Sequence, residues 1–184
     1  PNLGTLYPVG AVQMFPAIKV KDREDSVAGR GMDALLELIK KRHAEASRLL
    51  SDTEYKRIIA ESGGHLRDLL RIVAEVIRRT QSLPADAAVV SRALDQIRAE
   101  SLPIAEKDAV WLAKIARTHE ARLDDQANLV ELARFFDTNM VLCYRNGPEW
   151  YDMHPFIRGH VLKLSDEVEA RKLSDEVEAR TMKK

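Results

Sequence analysis

The residues with the clearest potential for chemistry lie between positions 61 and 71. There the sequence Glu-Ser-Gly-Gly-His-Leu-Arg-Asp-Leu-Leu-Arg places Gly63 and Gly64 directly before a helical pattern. Two glycines allow the chain to turn sharply and start a new helix. Arg67 then falls in the first turns of that helix, and Arg71 follows one turn later on the same face. A guanidinium stays charged and donates hydrogen bonds in a fork, which suits phosphate oxygens.

Two ordinary explanations stay open for this stretch. Arg67 could instead pair with a nearby carboxylate on a solvent-exposed surface. His65 could touch a nucleotide base or phosphate, but a capping or solvent-facing histidine is the more common case.

The phosphate-binding patterns G-x-x-x-x-G-K-[ST] and G-x-G-x-x-G are both absent from the 184 residues. We therefore predict no catalytic residue and no cofactor bound by this chain alone.

The sequence predicts no metal site. His43, His119, His154 and His160 show no ligand spacing with Cys143. Because Cys143 is the only cysteine, an intrachain disulfide is excluded, and a reducing compartment is the better expectation.

Helices dominate the predicted organisation. Apolar residues at helical spacing predict several helices. The first covers about residues 32–43, the second ends near residue 61 and the third begins at residue 66. Three more are predicted over 86–100, 105–118 and 126–136. The run 11–20 is the one plausible strand before residue 139, and Pro16 indicates an edge or a bend. Its backbone needs a partner, which we expect in a missing domain rather than in another chain or a distant hairpin.

The sequence changes period after residue 139. The runs 140–145 and 149–154 are rich in β-forming residues and flank Asn146-Gly147, a dipeptide typical of type I′ turns. We predict an antiparallel hairpin over 139–154. The predicted fold class is therefore mainly α, with a helical, lid-like bundle followed by a winged-helix module that has a C-terminal β-hairpin.

These features resemble the lid and winged-helix region of AAA+ and related STAND-type P-loop ATPases, including archaeal and bacterial AAA ATPases. In that family a Ser-Gly-Gly-x-x-Arg-x-Leu-like run introduces the sensor-2 helix. The resemblance covers roughly residues 11–160 and implies a last core strand and linker at 1–31, a lid at 32–101 and a winged helix at 102–162. A repeat-containing helical tail is predicted at 163–184 from the sequence itself. The nucleotide-binding core of the family is absent from this sequence.

The resemblance also implies a regulatory, coupling role. The family arginine that matches Arg67 reaches the nucleotide γ-phosphate, so nucleotide sensing is expected at Arg67, His65, Gly63 and Gly64. ATP would be bound only if the chain were joined to an upstream nucleotide-binding domain, which is the expected first partner. The chain alone is not expected to be an enzyme, although it could be part of an ATPase.

A second partner is expected at the winged helix, where Arg134, Arg145, Trp150 and Arg158 could make contacts. Residues 104–160 contain seven Lys or Arg and nine Asp or Glu, a net charge of −2. Nucleic-acid binding needs clustered positive charge, so a protein partner is favoured over DNA. Two alternatives stay open: a DNA-binding winged-helix protein, and a helical interaction domain with no nucleotide role.

The tail contains an internal repeat. The sequence Lys-Leu-Ser-Asp-Glu-Val-Glu-Ala-Arg occurs at 163–171 and again at 172–180. A period of nine matches neither 3.6 nor 7, so its apolar positions drift around a helix. A duplication or a solvated helical tail explains the repeat better than a functional array.

The whole-chain composition indicates a soluble cytoplasmic protein. The 29 basic and 29 acidic residues give a formal net charge of zero, so no global attraction to nucleic acid or an anionic membrane is expected. No run approaches the roughly 20 apolar residues of a membrane-spanning helix. The first residues also lack the pattern of a secretion signal.

Overall fold

The computed structural model describes residues 16–24, 26–121, 129–145 and 147–181. This part of the chain is mainly helical, with a small hairpin before the last helix, and the predicted fold class is confirmed at that level. Its elements, in order, are α1 (Gly29–Arg42), α2 (Ala46–Leu49), α3 (Asp52–Glu61), α4 (Leu66–Arg79), α5 (Ala87–Glu100), α6 (Glu106–Thr118), α7 (Leu129–Asp137), β1 (Val141–Tyr144), β2 (Trp150–Met153) and α8 (Pro155–Thr181).

Local sequence signals explain where two of these helices begin. The Ser51 hydroxyl accepts a hydrogen bond from the Glu54 amide at the start of α3. The Asp86 carboxylate accepts one from the Val89 amide at the start of α5. Each side chain satisfies an amide that has no partner within its helix, as N-cap residues do.

One apolar core runs through most of the described chain. Its fully buried side chains include Tyr55 from α3, Leu94 from α5 and Leu112 from α6. The same cluster continues into α8 through Val161. The core therefore crosses the boundary that we placed at residues 101–102, between the predicted lid and the predicted winged helix.

The predicted hairpin is confirmed. Val141 pairs with Met153 and Tyr144 pairs with Trp150 in an antiparallel register. Five residues join the strands, so the connection is longer than the two-residue turn that the sequence suggested. Gly147 has a positive φ of 98° within this connection, and Asn146 lies outside the described residues.

The structure describes only the end of the predicted strand at 11–20, because residues 1–15 lie outside the described part. Its described end, residues 16–20, is not a strand. The Ala17 amide donates to the Cys143 carbonyl at 2.9 Å, and the Ile18 amide donates to the Gly64 carbonyl at 3.0 Å. These amides therefore find partners in the hairpin and in the glycine turn, not in a missing domain as we expected.

The last helix is longer than the sequence suggested. α8 is continuous from Pro155 to Thr181, so the predicted boundary at 162–163 falls inside it. Its first half packs along α6, and both copies of the repeat belong to it. None of the described helices has the length and apolar character needed to cross a bilayer.

Candidate functional site

The two glycines before α4 are fixed by close packing. Gly63 and Gly64 are buried and have positive φ angles of 58° and 74°. A Cβ atom at Gly64 would lie 1.8 Å from the Ile18 carbonyl oxygen, so a larger residue would displace that segment. The Gly63 carbonyl accepts a hydrogen bond from the Tyr144 hydroxyl at 2.7 Å. Both glycine amides also donate within the turn, so neither is left to hold a phosphate.

Arg67 is the second residue of α4, and its side chain is exposed. It forms no ion pair or hydrogen bond with the described part of the chain. Arg71 differs, because its guanidinium pairs with Glu100 at the end of α5 and lies 4.0 Å from an Asp68 oxygen. Of the two arginines, Arg67 is the one that can turn toward an external anion without losing an internal partner.

Arg67 and Arg71 face a cleft of about 630 Å³. The cleft opens between the start of α4, the end of α5 and the open end of the hairpin, where β1 begins and β2 ends. Its lining also includes Glu100, Asn139 and Phe156. Positive and negative side chains therefore alternate around it, with apolar surface on the side of α8.

Asp68 and His154 lie at the edge of this cleft and form a cluster with His65. His65 Nδ1 lies 2.6 Å from Asp68 Oδ2, which is a hydrogen-bond distance. His154 Nε2 lies 3.3 Å from the same oxygen, an ion-pair distance at which Nε2 does not meet the geometry of a hydrogen bond. Asp68 and His154 are buried, and His65 is partly exposed.

The environment sets the protonation of this cluster. Burial raises the pKa of Asp68, but the adjacent imidazoles of His154 and His65 lower it more, so the Asp68 pKa lies below its usual range. Burial lowers the pKa of His154, although the Asp68 carboxylate opposes that shift. Near neutral pH the cluster therefore combines an ionised carboxylate with a neutral buried imidazole.

The cluster joins two helix starts that are distant in the sequence. His65 directly precedes α4, Asp68 lies in its first turn, and His154 directly precedes α8. His154 Nδ1 accepts a hydrogen bond from the Phe156 amide at 3.2 Å, so in the neutral ring Nε2 carries the proton. Sequence reasoning missed this cluster, because only the three-residue spacing of His65 and Asp68 is visible locally.

The three arginines that we expected at a partner surface are engaged within the chain. Each pairs with a carboxylate: Arg134 with Asp108 at 2.8 Å, Arg145 with Glu149 at 2.7 Å and Arg158 with Asp152 at 2.9 Å. They are partly exposed, so they remain accessible at the surface with their charges largely balanced.

Trp150 does not match the expectation of a partner-contacting residue. Only 4% of it is exposed, and its ring stacks on Tyr144 with centroids 4.3 Å apart. Trp150 lies on the hairpin face that also carries Leu142 and Tyr144, and these side chains form a small buried cluster with Ala17, separate from the main core. The large indole therefore buries apolar area within this cluster. Trp150 therefore supports the hairpin and is not available as a surface contact.

Asp152 forms a second buried polar centre that the sequence did not reveal. It is 1% exposed and pairs with Lys21 and Arg158. His119 Nδ1 lies 3.9 Å from the same carboxylate. These contacts tie the segment before α1 to the hairpin and to α8, and balance a charge that would otherwise be costly to bury.

No protein-family model, curated protein or solved structure matches this chain.

Proposed function

We propose that this chain is the regulatory, coupling part of an AAA+-like ATPase, and that Arg67 senses a nucleotide held by an upstream domain. The observation that carries the proposal is the state of Arg67. Its guanidinium is exposed at the edge of a cleft and forms no ion pair with the described residues, whereas Arg71 on the same helix is paired.

The position of Arg67 on its helix supports an anionic ligand. The first amides of a helix lack carbonyl partners within it, and the helix dipole favours negative charge at that end. A phosphate near Arg67 would interact with both the guanidinium and this end of α4. The arginine can reach it without breaking an existing ion pair.

The cluster of His65, Asp68 and His154 connects the site of this contact, at the start of α4, with the start of α8. Asp68 follows Arg67 directly, and its carboxylate lies against His154, which precedes α8. A displacement of the start of α4 would therefore change contacts at the start of α8. A nucleotide would shift the population only to the extent that it binds one arrangement better than the other.

In the proposed function, α6, α7 and the hairpin act as a winged helix that receives this change. Their order along the chain is that of a winged helix. Because Arg134, Arg145 and Arg158 are each balanced by a carboxylate, a protein partner is favoured over duplex DNA.

The decisive experiment joins the chain to the upstream nucleotide-binding domain that the proposal requires and measures ATP hydrolysis. Arg67→Ala should lower turnover by at least about tenfold, because a charged donor aimed at developing phosphate charge is lost. Arg92→Ala is a matched control, since Arg92 is an exposed arginine on α5. Wild-type turnover in the Arg67→Ala protein would refute the sensing role.

The chain alone provides a second test. Because the sequence lacks a phosphate-binding loop, we expect no ATP hydrolysis and no ATP binding tighter than about millimolar. Micromolar binding by calorimetry would contradict the proposal that the nucleotide is held by another domain.

A further inference from the structure

We propose that His65, Asp68 and His154 form a binding site for a divalent transition-metal ion, for which Zn²⁺ is the best match. One ligand atom from each residue lies within 4.8 Å of the others. Two imidazoles and a carboxylate are a common ligand set for zinc and neighbouring first-row metals. This proposal is independent of the proposed nucleotide function, because the ion would bind the chain alone.

The buried nitrogen of His154 is the observation that points to a ligand. His154 is 3% exposed, and its Nε2 lies 3.3 Å from Asp68 Oδ2 without meeting the geometry of a hydrogen bond. A buried polar atom without a partner is costly in a folded protein, so such atoms are rare. His154 also lines the cleft, which gives an ion a route from solvent and leaves room for a water or another ligand.

The spacing at Asp68 fits a metal ion. Two ligand atoms that each lie about 2.0–2.1 Å from a tetrahedral Zn²⁺ are about 3.3–3.4 Å apart. The observed separation of His154 Nε2 and Asp68 Oδ2 is 3.3 Å. His65 Nδ1 is closer to that oxygen, at 2.6 Å, and a proton now lies between them. An ion would replace this proton and open the contact by less than about 1 Å.

The tautomer of His154 sets the cost of binding. Coordination through Nε2 requires the imidazole proton to move to Nδ1, where it would face the Phe156 amide instead of accepting its hydrogen bond. Metal binding would therefore break the hydrogen bond from the Phe156 amide at the start of α8 and form a bond between the ion and His154 Nε2.

The test uses the full 184-residue chain, freed of any histidine tag and stripped with a chelator. Titration with Zn²⁺ by calorimetry should give one ion per chain. Co²⁺ should give the intense visible absorption of four-coordinate nitrogen and oxygen ligation. His65→Ala and Asp68→Asn should each weaken binding by about 10–100-fold or more, since even residues that only support a ligand have effects of that size.

The controls separate this site from adventitious binding. His43→Ala and His160→Ala remove exposed histidines outside the cluster and should leave the affinity unchanged. His154→Ala removes a buried ring, so its fold is checked by circular dichroism, and His65→Ala carries the conclusion if it unfolds. The proposal is overturned if the wild-type chain binds no Zn²⁺, or if binding survives in both His65→Ala and Asp68→Asn.

Discussion

Residues 163–171 and 172–180 contain the same nine amino acids in one continuous helix, yet they lie in different environments. In the first copy Val168 is 7% exposed, while its counterpart Val177 is 55% exposed. Ser165 is fully buried, but every residue of the second copy is exposed. The local sequence is identical, so it cannot be the cause of this difference.

Helix geometry supplies the cause. Nine residues advance an α-helix by about two and a half turns and about 13.5 Å. Equivalent residues of the two copies therefore point to opposite sides of α8. The first copy faces α6, where Arg117 pairs with Asp166 and Glu169 and where Arg171 pairs with Glu106. Glu106 is the first residue of α6, so α6 offers no further turn for the second copy to pack against.

The largest expected difference between the copies comes from their valines. Val168→Asp should lower the free energy of unfolding by about 2–4 kcal/mol, because it buries an unpaired carboxylate. Val177→Asp should change it by no more than about 0.5 kcal/mol, as surface substitutions usually do. Urea unfolding measures both. Equal losses would mean that the second copy is also packed in solution.

The serines should give effects of opposite sign. Ser165→Leu inserts a larger side chain into a fully buried position and should cost about 1–3 kcal/mol. Ser174→Leu places a better helix former on an exposed surface and should add a few tenths of a kcal/mol at most. Thermal unfolding of the two variants tests this contrast, and a stabilising Ser165→Leu would show that the space beside α6 is not filled.

The repeat also shows which parts of the fold a sequence can predict. Features set by neighbouring residues were predicted correctly: the helix that begins after Gly64 and the hairpin after residue 139. The burial of one copy and the exposure of the other depend on where α6 ends. That information is not contained in the nine residues themselves.

In the candidate site, too, some features follow from the local sequence and others depend on distant parts of the chain. The glycine turn and the position of Arg67 at the start of a helix follow from local pattern, and the structure has both. The meeting of Asp68 with His154 depends on how α8 returns to α4, which no short motif specifies. Trp150 was misplaced for a related reason: the sequence of a hairpin does not reveal that other parts of the fold cover both of its faces.

The smallest expected difference concerns the aspartates of the two copies. Asp166 lies 2.8 Å from Arg117, and both side chains are about half exposed or more, at 66% and 48%. Asp166→Asn should therefore cost only about 0–1 kcal/mol, since solvent screens such pairs. Glu169 also holds Arg117, at 3.1 Å, which reduces the loss further. The cost should shrink as salt is raised from about 0.01 M to 1 M, because the Debye length falls from about 30 Å to 3 Å.

Asp175→Asn is the matched change in the second copy. Asp175 has no ion pair with the other helices in the described part of the chain, and its attraction is to Arg171 on the same helix. We expect Asp175→Asn to change the free energy of unfolding by no more than about 0.5 kcal/mol, as surface substitutions usually do, with little dependence on salt. If instead both aspartates gave the same salt-dependent loss, the second copy would have an ionic partner of its own, and the contrast between the copies would be confined to their apolar residues.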